Sequence, residues 1–281
     1  LKKLIVNADD FGLHTEVNRA VIQGYQKGCL RSTSLITTGS AVDEAVELAK
    51  ENPGLGIGIH LTLVAERPML PPEQVPTLVG DDGKFLPDHV AFIKRYVSGG
   101  INREELFAEC EAQIAKAMDL GINITHLDSH QHLHVLPGIS KICLKLMGKY
   151  NISKMRYPGE AFFFTGGFPV GLGRRIAKCG LTVCADIAKG KAKWYNKKMP
   201  DYFFGMVAGG HNEEKYFLNI LKALPDGVSE IMIHPGANDM ELSKCYDWQY
   251  HWQDELNSVT SQEVMKYITE HDISLISYAD L

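Results

Sequence analysis

Between Thr125 and His134 the chain reads Thr-His-Leu-Asp-Ser-His-Gln-His-Leu-His, which is four of its eleven histidines and one aspartate in ten residues. Neutral imidazole binds divalent transition metals and moves protons near pH 7. The bland reading of so dense a group is a solvated surface cluster. Two other stretches carry matching chemistry: Asn7-Ala8-Asp9-Asp10 and Gly58-Ile59-His60. His126, Asp128 and His130 alternate with a period of two, as do His132 and His134. Along a continued strand all five would share a face. They cannot all bind one ion. One carboxylate with two histidines and open positions suits a catalytic divalent metal, leaving the other imidazoles to support ligands or touch substrate. Asp128 can orient an imidazole.

Of the adjacent pair Asp9 and Asp10, one can bind a cation while the other stays free as a base; the plainer role is capping a turn. His60 follows two strand glycines, which often mark a close approach by backbone or ligand. Alone it reads as a core histidine, and a second histidine at another strand end reverses that. His234 ends a late apolar strand before Pro235-Gly236 and suits a general acid. Arg156, in Met155-Arg156-Tyr157-Pro158, either holds a carboxylate, contacts substrate or sits on the surface.

The elements that must position these residues alternate. Leu4 to Val6 is an apolar run typical of a strand buried in a parallel sheet. Thr15 caps a helix ended by Gly28. Thr33–Thr38 and Leu55–Leu63 read as strands around a helix from Val42. Ile122–Asp128 is the strand that delivers the histidines, with helices before it (Val90–Val97, Arg103–Leu120) and after it (Pro137–Tyr150). Lys154–Tyr157, Thr182–Asp186, Tyr202–Val207, Glu230–Ile233 and Ile273–Ser277 read as further strands, and Asn212–Leu224 and Val259–His271 as helices. The segment from Val64 to Pro87, with five prolines, reads as an excursion over the mouth of a site. Seven to nine strands separated by helices favour an α/β fold, a single distorted (β/α) barrel domain over residues 1–281. In such barrels chemistry gathers at strand C-terminal ends.

The net charge of −5 argues against a nucleic-acid partner bound by neutralising phosphates. Six cysteines without a C-x-x-C pair imply a reducing compartment, and with no apolar run of roughly 18 residues the expectation is a cytoplasmic protein without a transmembrane segment. A homodimer is the default expectation for oligomeric state.

Leu4 to Gly12, Gly58 to Leu61, Thr125 to His134 and His234-Pro235-Gly236 together resemble the YdjC-like carbohydrate deacetylase family, in the family's order. The resemblance implies a distorted (β/α) barrel that hydrolyses the N-acetyl group of an amino sugar and releases acetate. It implies a divalent metal, Mg2+ or Zn2+, on Asp10, His60 and His130, with Asp9 as base and His234 as acid. Arg156 falls where related deacetylases carry an arginine that positions the base, and Asp128 and His132 support the ligands. The implied substrate is a chito-oligosaccharide or an N-acetylglucosaminyl lipid. The overall look of the chain, including Val64 to Pro68, leans towards the member associated with hopanoid biosynthesis. Two other classes stay open: a metal-dependent phosphoesterase on the same residues, and a non-catalytic sugar-binding protein.

Overall fold

The computed structural model describes residues 1–281. Strand β1 (Lys2–Phe11) lies at the centre, with β2 (Ser32–Leu35), β3 (Gly56–Leu61) and β4 (Ile124–Ser129) on one side and β6 (Gly227–Ile233) and β5 (Tyr202–Phe204) on the other. Every pairing is parallel. Parallel strands covered on both faces need no polar alternation, which is why Leu4, Ile5 and Val6 are all fully buried.

Single bridges complete the circuit between the two edges. Leu127 on β4 pairs with Met155, and Lys154 pairs with Lys198, four residues before β5 begins. The sheet therefore closes as a distorted (β/α) barrel, with Lys154 to Tyr157 acting as the expected strand in reduced form. Strand β7 (Ser274–Leu275) pairs Lys3 and Leu4 at the start of β1, while β2 takes over from Asn7. Just beyond β7, Tyr278 enters the barrel, stacks on His126 with ring centres 3.7 Å apart and donates its backbone N–H to Ser32 Oγ at 2.9 Å.

Ten helices pack around the strands, among them α1 (Thr15–Lys27), α2 (Val42–Glu51), α3 (His89–Val97), α4 (Arg103–Asp119), α5 (Ile139–Lys149) and α6 (Leu172–Trp194). The rest are α7 (Glu214–Ala223), α8 (Asp239–Cys245), α9 (Trp252–Thr260) and α10 (Gln262–Glu270). A continuous cluster of 62 buried apolar residues joins strands and helices. His14, not Thr15, caps α1: its Nδ1 accepts from the Glu16 N–H at 3.1 Å. Thr182 to Asp186 is not a strand but the middle of α6. The β-branched Thr182 and Val183 suggest a strand, yet Ala185, Ala188 and Ala192 recur at helical spacing and are buried. Small side chains there let a helix lie close to the barrel, and that packing outweighs local propensity.

The excursion from Val64 to Pro87 is tied down by two acids of α4. Glu109 accepts from the N–H groups of Met69 and Leu70, and Glu105 from the N–H and hydroxyl of Thr77. Its own bridges, Val64 to Leu86 and Val79 to Phe85, add backbone bonds from Ala65 N–H to the Leu86 carbonyl and from Gly80 N–H to the Lys84 carbonyl, both at 2.8 Å.

Gly58 on β3 faces the His126 ring so closely that a Cβ would lie 2.3 Å from Cε1. The ring cannot retreat, because Tyr278 is stacked on its other side. Gly58→Ala should therefore cost about 1–3 kcal/mol through overpacking. A thermal midpoint equal to that of the parent chain would show that the ring can move.

Candidate active site

Sheet register assembles the site. His60 pairs with Asp128 across β3 and β4, and Ala8 pairs with Ile233, so Asp9 and His234 leave adjacent strands side by side. Asp10 then turns the chain at φ +68°, a left-handed conformation that Asp tolerates better than most residues. This turn separates the two neighbouring carboxylates and sends them to different partners.

Asp9 is clamped. Arg156 donates from Nη1 to Oδ2 at 2.7 Å and from Nη2 to Oδ1 at 2.6 Å, a bidentate fork, and Asn7 Nδ2 donates to Oδ1 at 2.9 Å. Asp10 Oδ1 lies 3.2 Å from His130 Nδ1 and 3.5 Å from His60 Nε2. Burial opposes charge on Asp10, but His130, with His234 and His60, draws its pKa well below the usual carboxylate range. On the far side of His60, Nδ1 meets Asp128 Oδ1 at 2.7 Å. Asp128 also accepts from Ser34 Oγ at 2.7 Å and pairs with Arg156 at 2.9 Å. Burial is again opposed, here by Arg156 and then His60, and Asp128 stays well below its ordinary value.

Three buried carboxylates, Asp9, Asp128 and Glu230, thus share a single guanidinium, and a fourth, Asp10, faces His60 and His130 beside them. Their demand for positive charge shows in His60. Burial favours its neutral form, yet Asp128, Asp9 and Asp10 push its pKa up to about 9. His60 Nε2 has no hydrogen-bond partner, although it is buried and lies 3.9 Å from Asp9 Oδ2. An orphaned imidazole nitrogen among carboxylate oxygens is a donor set that fits a divalent cation. Ligand atoms of Asp10, His60 and His130 all lie within 4.8 Å of one another, as do those of Asp9, His60 and Asp128. The first set is the better ligand set, because Asp9 and Asp128 already carry the bonds of Arg156.

The other histidines go elsewhere. Strand β4 ends at Ser129, and residues His130–Val135 form a tight turn in which Gln131 and His132 take φ of +52° and +58°. The period of two therefore stops at Asp128. His126 stacks on Tyr278, and His134 bonds Ser129 Oγ at 2.8 Å. Both are fully buried, and burial holds each pKa down to about 3, so both are neutral. His132 packs edge-on against Phe203, and burial and Arg156 likewise keep it uncharged.

His234 donates its backbone N–H to buried Glu255, and its ring lies 5.0 Å from that of Tyr250. Arg156 is fully buried, with Nε on Glu230 at 2.9 Å. That geometry positions carboxylates and leaves the guanidinium out of reach of a substrate.

Several participants escape the sequence reading. Glu230 carries a signal, a lone charge at the head of the apolar run Ile231-Met232-Ile233, since a buried Glu must be paired. Tyr246, Trp248, Tyr250 and Trp252 alternate in sequence, and Trp248 lies 5.4 Å from the His130 ring. Asn7 and Ser34 carried no signal, for their roles depend on what stands across the sheet.

Burial, offset in part by Arg156 and Tyr278, raises the Glu230 pKa to about 7. The folded chain then binds a proton that the unfolded chain releases above 4.5, so this group's stabilising effect declines as pH rises between 4.5 and about 7. In metal-free protein, Glu230→Gln should remove that part of the slope of thermal midpoint against pH. Parallel slopes for the two proteins would show that Glu230 is ionised throughout.

Fold and site together define a parallel (β/α) barrel with a histidine and carboxylate centre at its strand ends. A YdjC-like protein family model matches residues 3–270, and the chain belongs to that family. A carbohydrate deacetylase of Thermoanaerobacter pseudethanolicus is 32% identical over 284 residues, covering 100% of both chains. Another, from Clostridium beijerinckii, is 31% identical and covers 99% of this chain and 100% of its own. A solved structure from Enterococcus faecalis, provisionally described as a cellobiose-phosphate cleavage protein, superposes with a TM-score of 0.79 at 28% identity, over 99% of this chain and 98% of its own.

Proposed function

We propose that the chain is a divalent-metal-dependent hydrolase that removes the N-acetyl group from an amino sugar and releases acetate. The observation that carries this reading is the buried set Asp10, His60 and His130 beside a carboxylate clamped by Arg156. Family membership and the relatives named carbohydrate deacetylase support it. The substrate is an N-acetylated glycan such as a chito-oligosaccharide, or an N-acetylglucosaminyl lipid.

Asp10, His60 and His130 hold the metal, Mg2+ or Zn2+, which when bound supplies Lewis acidity and lowers the pKa of water. Asp9 is the base. Its Oδ1 is occupied by Arg156 and Asn7, whereas Oδ2 takes a single bond and keeps a lone pair on the side of His60. The water's proton goes to that Oδ2. The guanidinium fork holds the carboxylate plane fixed while this happens, so no reorientation precedes transfer. His234, on the neighbouring strand, donates a proton to the leaving nitrogen. Asp128 keeps His60 oriented through its Nδ1, leaving Nε2 for the metal. Trp248 beside His130 and Tyr250 beside His234 offer aromatic faces on which a sugar ring can lie.

A phosphoesterase has less support, because the one buried cation of the centre, Arg156, is fully engaged by carboxylates. Acetate release from N-acetylated oligosaccharides and glycolipids, with and without chelator, tests the proposal. Absence of release from every acetylated substrate would overturn it. His130→Ala should lose most bound metal, by about 10–100-fold or more in affinity. Elemental analysis showing parent-like metal content in that variant would remove His130 from the ligand set.

A further inference from the structure

Helix α6 carries an apolar stripe that faces solvent. Leu172, Ile176, Val183, Ile187 and Trp194 recur at intervals of four and seven residues, and each is between 48% and 87% exposed. At 3.6 residues per turn they fall within a sector of about 60°. The buried residues of the helix, Thr182, Ala185, Ala188 and Ala192, lie on the opposite side. The stripe thus faces straight away from the barrel. Phe163, almost wholly exposed, stands in the loop that Lys178 ties to the helix through the carbonyls of Ala161 and Phe164.

Charge around the stripe runs against the rest of the molecule. Between residues 172 and 198 there are eight Lys and Arg and one acid, Asp186, in a chain with 29 basic and 34 acidic residues. Arg175 and Lys193 flank the stripe on one side and Lys191 on the other, all exposed. A long helix with a solvent-facing apolar stripe edged by cations has the form of an interfacial helix.

We propose that the outer face of α6 docks the protein on an anionic lipid bilayer surface. The apolar side chains enter the boundary between headgroups and acyl chains, and Arg175, Lys191 and Lys193 meet lipid phosphates. A second copy of the chain fits the face less well, since a two-fold contact would set these cations against themselves. Docking also brings the site to the surface. The N-terminal end of α6 lies at the barrel mouth, where Arg174 donates to the Gly209 carbonyl at 3.1 Å and Tyr250, the neighbour of His234, packs on Gly210. The inference stands on this face alone and does not depend on the chemistry proposed for the site.

The test is co-sedimentation of the full chain with vesicles of phosphatidylcholine alone and with roughly a third phosphatidylglycerol. Binding is expected to the second and not the first, and to weaken as salt rises. Brominated acyl chains should quench Trp194 emission, and the quenching should disappear in Trp194→Phe. The double variant Leu172→Ser, Ile176→Ser should keep its thermal midpoint, since both side chains are mostly exposed, and bind roughly tenfold more weakly. Absence of binding, equal binding to both vesicles, or binding unchanged in the double variant would overturn the proposal. So would a concentration-dependent dimer that the same double variant abolishes, which would assign the face to a second copy.

Discussion

Asp9→Asn should lower turnover by about 10²–10⁴-fold while leaving metal content unchanged. The substitution keeps the shape of the side chain and replaces the oxygen or its twin with an amide, which cannot take a proton from water. Asn cannot accept both arms of the Arg156 fork, so some disorder of the site will follow. The decisive readout is therefore kcat together with bound metal. Loss of metal along with activity would mean that Asp9 is a ligand and that the roles of Asp9 and Asp10 are exchanged. Full activity would mean that another group takes the proton.

Arg156→Leu should destabilise the fold by about 3–5 kcal/mol, because removing one member of a buried ionic cluster leaves the others unpaired. Here three carboxylates, Asp9, Asp128 and Glu230, lose their shared cation at once. Protonation of Glu230 relieves part of this, since its pKa is already raised to about 7. Arg156→Lys should recover part of the stability but not the orientation of Asp9, because an ammonium is a point charge without the planar fork. Denaturant unfolding of the three proteins checks the ranking. An Arg156→Leu protein within about 1 kcal/mol of the parent would show that the cluster rearranges or takes up protons without penalty.

Much of the barrel was legible because parallel strands leave a strong mark. Leu4 to Val6 and Gly56 to Ile59 are apolar on both faces, and the helices between them keep their spacing. Thr182 to Asp186 looks like a strand only locally: five residues express their own propensities, while the packing of Ala185, Ala188 and Ala192 spans a whole helix. The segment between Ala237 and Val259 carries no strong local pattern. Its two helices are short, and its alternating aromatics acquire meaning only beside His130 and His234.

The sequence by itself determined which donor types exist and that they stand at the ends of apolar strands: Asp9 and Asp10, His60, the run from His126 to His134, and His234. That follows because strand burial and side-chain chemistry are local properties. Only the tertiary structure decided which of these meet. Two left-handed residues after β4 set His130 against Asp10, while His126, His132 and His134 are neutral packing groups. Arg156 joins three carboxylates that are 147, 28 and 74 residues away in sequence, at Asp9, Asp128 and Glu230. No local pattern encodes such a convergence, because it arises from the order and register of parallel strands, each of which brings one residue to the same end of the barrel.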